Sequence, residues 1–299
     1  MRFVMVLFLA LSFVSAAFAE EEAPPLWDWG FGLGYIRYAD YPSSDEYSQL
    51  MLPFPTFQYR GEFLRADDRE GGRAYLFKSG NWSLELSGGG RIALDSSKNK
   101  AREGMEDLPF VLDGGAQLVY ASGRTWEFQL APYASTAVSG SYIRPNGMLF
   151  KAQAIYRWEG ETRGPFPAPI IITGTTALEV TAATQEYMRT YFEVDAAHAT
   201  AGRPSYDAVA GFLNKNLSYY QRFSSGRVSM YVGASISDYT WSANRQSPLH
   251  KSDYNVGWGM GFTYQFGESS RPSISPEDTQ GVINRYRQHR REQRLIPLE

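Results

Sequence analysis

The stretch "YNVGWGMGFTYQF", Tyr254 to Phe266, decides how the rest of the chain is read. Tyr254, Val256, Trp258, Met260, Phe262, Tyr264 and Phe266 occupy every second position, and Asn255, Gly257, Gly259, Gly261, Thr263 and Gln265 fill the gaps. A β-strand sends successive side chains to opposite faces. One face of this strand is therefore large and apolar, and the other is small or polar. Two architectures produce that pattern: a half-buried strand of a soluble sandwich, and a membrane barrel with lipid outside and a wet lumen inside.

The same alternation recurs along the chain. Trp27, Trp29, Phe31, Leu33 and Tyr35 share a face against Asp28, Gly30, Gly32 and Gly34; Trp82, Leu84 and Leu86 oppose Ser83, Glu85 and Ser87; Val228, Met230, Val232, Ala234 and Ile236 oppose Ser229, Gly233, Ser235 and Ser237. The spacing predicts strands near 26–38, 49–59, 62–66, 73–78, 82–94, 109–121, 125–138, 147–158, 167–182, 207–222, 227–240 and 252–266. The stretch 62–78 reads equally as one bent strand or as a short hairpin. Tight Gly- or Ser-containing links near Arg60–Gly61, Ser79–Asn81, Ser122–Arg124 and Ser224–Gly226 mostly alternate with longer polar links, near 39–48, 95–108, 183–206 and 241–251. This is the punctuation of an up-and-down barrel with short periplasmic turns and longer outer loops.

The inward parity carries charge: Glu85, Arg91, Asp113, Glu127, Lys151, Arg157, Glu179 and Arg227. A dry sandwich core would hold such groups only if each were paired, whereas a narrow wet lumen holds them readily. Mixed signs leave two readings, a lumen plugged by salt-bridged side chains or a narrow channel. Gly259 is read as lumen-facing and able to carry a hydroxyl. The fold class expected is all-β, an antiparallel up-and-down transmembrane barrel of about 12 strands, with a short helical or disordered C-terminal tail.

The chain opens "MRFVMVLFLALSFVSAAFA", in which Arg2 precedes an apolar run and Ala17 and Ala19 precede Glu20. These are the parts of an export signal cleaved after Ala19. The expected divisions are a signal peptide at 1–19, an outer-membrane barrel at 20–266 and a periplasmic basic tail at 267–299. No later apolar run is long enough for a membrane helix. Cysteine is absent, so the fold stands without disulfides, and the net charge of −3 gives no reason to expect nucleic acid. Outer-membrane lipids and lipopolysaccharide are the expected surroundings. The closing aromatic strand is a signal for the outer-membrane assembly machinery.

Three histidines, His198, His250 and His289, are the scarce raw material for chemistry. Ser205 and Asp207 lie near His198, but a solvated loop histidine is the better reading. The sequence offers no paired ligands for a metal and no strand–loop–helix context for a phosphate site. No catalytic residue, metal or cofactor is expected. In the tail, "GESSRPSIS" reads as a flexible linker, and Gln280 to Arg294 is helix-compatible. Arg285, Arg287, Arg290, Arg291 and Arg294 concentrate positive charge suited to an acidic partner.

"LPFPTFQYRGEFLRA", "GMEDLPFVLDGGAQLVY", "YFEVDAAHATAGRPSYDAVAGF" and the closing "GMGFTYQF" fall in order along residues 27–266. Together they resemble the MltA-interacting protein/OmpV family. The resemblance implies an outer-membrane barrel that is not an enzyme. It implies a scaffold joining a lytic transglycosylase to a peptidoglycan synthase, or else a porin-like channel or a surface adhesin. This chain departs from the family in continuing past its last aromatic strand.

Overall fold

A computed structural model describes residues 24–67, 71–140, 142–162 and 169–273. They contain twelve antiparallel strands joined in sequence order, with β1 closing on β12. The strands are β1 (Trp27–Ala39), β2 (Tyr47–Arg60), β3 (Leu64–Asp67), β4 (Gly71–Ser79), β5 (Trp82–Arg91), β6 (Phe110–Ser122), β7 (Trp126–Ser139), β8 (Tyr142–Thr162), β9 (Ile170–Ala183), β10 (Gly211–Ser225), β11 (Val228–Asp238) and β12 (Tyr254–Glu268). The stretch left open in the sequence is a hairpin, β3 and β4.

The alternation sorts the faces as a membrane barrel requires. Every outward residue of β12, from Tyr254 to Phe266, is between 38% and 54% exposed, while Asn255 and Thr263 are buried. β7 repeats this strictly, with Trp126, Phe128 and Leu130 outside and Glu127, Gln129 and Tyr133 inside. Near the periplasmic end the outward aromatics meet across strands. Trp29 lies 5.4 Å from Phe266, and Trp82 lies 4.8 Å from Tyr120 (ring centroids). Aromatic girdles of this kind mark the membrane interface.

Two strands depart from the sequence reading. β8 begins at Tyr142, so "YIRPN" is not a link but pairs with Thr136–Ser139, across an irregularity at Ala134/Thr136. Gly147 permits the change of course, with φ of +78°. A side chain there would also meet the Thr184 hydroxyl at 2.3 Å. At the other end, "GESSRP" is not a loose linker. The Ser269 N–H donates to the Trp27 carbonyl, the Leu26 N–H to the Arg271 carbonyl and the Ser273 N–H to the Pro24 carbonyl. These bonds carry the β1–β12 seam past Phe266. The basic arginines of the tail, Arg285 to Arg294, and the residues read as the export signal lie outside the described residues.

The main apolar cluster joins the outer loops to inward side chains at the upper ends of the strands, Ala131, Tyr133, Leu149, Ala183 and Leu213. It sits at the outer mouth, where residues 40–46, 92–109, 184–210 and 239–253 fold together. The long link after β9 contains a helix, α1 (Gln185–Phe192). Tyr187, Met188, Tyr191 and Phe192 point from one face of α1 into a cluster with Tyr41, Leu149, Val194, Leu213, Tyr239 and Leu249. Spacings of three and four residues put these four side chains on a single stripe. Where loops were expected, the sequence builds a small packed domain.

Candidate functional site: the capped lumen

The cap is tied down by side chains that replace strand pairing. The Ser43 N–H donates to Asn255 Oδ1 at 2.9 Å, and Asn255 Nδ2 returns a bond to the Ser44 carbonyl at 2.6 Å. The Tyr41 hydroxyl donates to the Leu249 carbonyl at 2.9 Å, and Ser247 Oγ donates to the Phe192 carbonyl at 2.6 Å. Asn244 both accepts from the Val209 N–H and donates to the Val209 carbonyl, each at 2.8 Å. Arg203 donates to the carbonyls of Ala101 and Glu103 at 2.9 and 3.0 Å. All four long loops are thereby linked. Burial holds the Tyr187 phenol well above its ordinary range and raises that of Tyr191. Burial also lowers the Arg102 guanidinium to about 10, with a further push from Arg203. Arg102 stays charged at neutral pH, and its guanidinium lies 5.8 Å from the centre of the Tyr41 ring.

Beneath the cap, inward side chains cross-link the wall. The Tyr133 hydroxyl donates to Gln117 Oε1 at 2.9 Å, and Gln117 Nε2 donates to Glu85 at 3.3 Å. Arg157 pairs with Glu127, which also accepts from Gln129. Lys151 pairs with Glu179 at 3.4 Å. A cavity of about 280 Å³ remains among Gln117, Gln129, Tyr133, Lys151, Gln153 and Arg157. Tyr133 and Ala131 belong both to its lining and to the core cluster, so the cavity adjoins that cluster.

The charged residues read from the sequence fall into three groups. Glu127, Arg157, Lys151 and Glu179 make the two ion pairs, and Glu85 is held by Ser83 and Gln117. Arg91 does not pair with Asp113. Its guanidinium lies 5.5 Å from the Tyr187 ring centre and 5.7 Å from that of Tyr191, against the underside of the cap. Arg227 does not line the lumen. It has the right parity but lies just before β11, in the exposed turn with Gly226. The lumen's amides and Tyr133 were not singled out in the sequence, although they share the inward parity of the charged set.

His198 Nδ1 lies 2.8 Å from Asp195, and His250 Nε2 lies 3.0 Å from Asp253. The His198 backbone N–H, followed by its ring, holds the Asp195 carboxyl below its usual range; His250 and Arg245 do the same for Asp253. Among the described residues, no group of three His, Asp or Glu side chains is placed to share a metal ion.

The family model for the MltA-interacting protein MipA matches residues 31–266, from the first strand to the last. The chain belongs to this family. It is an outer-membrane β-barrel protein. No curated protein sequence matches it. Among solved structures, it is similar to a bacterial polysaccharide outer membrane secretin at 9% identity and a TM-score of 0.35, covering 80% of this chain and 99% of that one. OccK8 (OprE) of Pseudomonas aeruginosa matches at 10% identity and 0.23, covering 75% and 70%. A FadL homologue of Pseudomonas aeruginosa matches at 10% and 0.26, covering 84% and 73%. These overlaps are too loose to bear on function.

Proposed function

We propose that this MipA-family protein is exported with cleavage after Ala19 and serves as an outer-membrane scaffold for periplasmic peptidoglycan-remodelling enzymes. A lytic transglycosylase is the first such partner, and a peptidoglycan synthase the second. The observation that carries this reading is the cap. Tyr187, Met188 and Phe192 are fully buried at the outer mouth, with Leu149, Leu213 and Leu249 packed around them. A passive pore needs an open route, and a packed core with hydrogen-bonded loops costs free energy to displace. The family's name, MltA-interacting protein, supports a partner of the lytic transglycosylase type. On this reading the periplasmic rim and the basic segment beyond Ser273 are the surfaces that face such enzymes.

The test compares the intact protein with a chain ending at Ser273, which keeps the hydrogen bonds between 269–273 and 24–27. Both chains should insert and show the same heat-modifiable mobility. The shortened chain should be retained less by an immobilised lytic transglycosylase and by purified peptidoglycan. Retention of the intact chain should fall with added salt, because a run of arginines is screened within about 10 Å at 0.1 M ionic strength. Equal retention of both chains at low salt would remove the tail from the account.

A further inference from the structure

Among the described residues, the ladder of the barrel wall is interrupted between β2 and β5. β2 pairs with β1 along Tyr47–Tyr59. On its other side, among the described residues, β2 pairs only through Tyr59 and Arg60, with Ala66 and Arg65 of the short β3. Among the described residues, β5 pairs with β4 from Trp82 to Ser87, and Gly88–Arg91 pair with β6 alone. The wall is therefore joined near the periplasm and parted above, between upper β2 and the glycine-rich end of β5. Across the top, Asn99 Nδ2 donates to Asp40 at 2.8 Å and the Lys100 N–H donates to Glu46 at 3.2 Å. The gap between upper β2 and upper β5 is a window in the wall.

The sequence of β2 suits such an edge. The Arg60 N–H donates to the Leu26 carbonyl, so even-numbered residues of β2 address β1 and odd-numbered ones address the window. Pro53 and Pro55 are odd-numbered. Their nitrogens carry no proton, so this edge lacks two of the donors a further strand would need. A β-strand from another chain is thus a poor occupant.

The lumen side of the window is apolar. The Phe54 ring lies against Gly32 and Gly34, where an added Cβ would come within 2.7 and 3.2 Å of it. Even-numbered side chains of β2 therefore face inward, Leu50 and Leu52 among them, and Ile36 sits opposite Leu50. Leu52 is 48% exposed and Ile36 39% exposed, on a face that is polar or small on most of the other strands. The outward neighbours at the same height, Leu33 and Met51, are exposed apolar groups of the lipid-facing band. What stands before the window is lipid, and what lies behind it is an uncovered apolar strip.

We propose that the window admits an acyl chain of an outer-leaflet lipid, which lies on Ile36, Leu50, Leu52 and Phe54. Covering that strip removes apolar surface from water. The membrane supplies the chain at high local concentration. This inference is independent of the scaffold reading.

The natural chain has no cysteine, so Leu52→Cys provides a single site for an environment-sensitive fluorophore. The full-length protein is refolded into phosphatidylcholine vesicles whose acyl chains carry bromine. Met51→Cys, facing outward, is the lipid control. Ser235→Cys, facing inward on β11, is the lumen control. The label at position 52 should be quenched nearly as strongly as that at 51, while the label at 235 stays bright and responds only to aqueous iodide. Leu50→Cys gives the same reading on the same face if the first variant fails to show heat-modifiable mobility. A label at 52 that behaves like that at 235 overturns the proposal. Quenching at 52 seen only in the chain ending at Ser273 also overturns it, because the tail would then be the occupant.

Discussion

Met260→Arg should lower barrel stability in a urea titration by about 2–4 kcal/mol, the cost of an arginine facing lipid near the midplane. Met260 is the middle residue of the seven outward side chains of β12 and is 54% exposed. The matched change on the opposite face, Gly261→Ser, should cost less than about 1 kcal/mol, as ordinary tolerated substitutions do. Its added Cβ would meet the Leu33 carbonyl at 3.4 Å and the Gly34 Cα at 3.7 Å, both ordinary van der Waals contacts. Gly259, which the alternation alone presents as equally tolerant, is a worse comparator. A Cβ there would press to 3.0 Å on both the Tyr35 carbonyl and Ile36. Equal losses for Met260→Arg and Gly261→Ser would place the wrong face of β12 in lipid.

Phe192→Ala should loosen the cap by about 3–5 kcal/mol, the usual cost of emptying a buried aromatic site. Phe192 is fully buried at the end of α1, in a cluster whose strand members face inward. The barrel should therefore keep its heat-modifiable mobility while residues 184–210 exchange amide hydrogens faster and are cut sooner by protease. Unchanged exchange across 184–210 would mean that the outer loops are not held by this core.

The barrel was legible in the sequence because one physical rule, a period of two, repeats in most strands and needs no knowledge of partners. Boundaries slipped where another rule took over. β8 gained residues from 142 onward because Gly147 and an irregular pair let the hairpin continue. Arg227 kept its parity but lost its place because the turn claimed it. The cap was missed for a different reason. Its loops look polar on average, and their core comes from four separate segments and the strand ends beneath them, which meet only in three dimensions. One local signal was present: Tyr187, Met188, Tyr191 and Phe192 at helical spacing in "QEYMRTYF". The window also left a trace. "LMLPFP" in β2 is apolar on both parities and carries two prolines, against the rule that most other strands obey.

On the proposed function, the cap closes the barrel at its outer mouth and the protein is a platform and not a pore. Single-channel recording on the purified, refolded protein in a planar bilayer tests it most directly. The account predicts a silent barrel, with no steady conductance step at any applied voltage that leaves the protein folded. A stable, solute-dependent conductance from the intact chain would contradict it and favour the narrow channel.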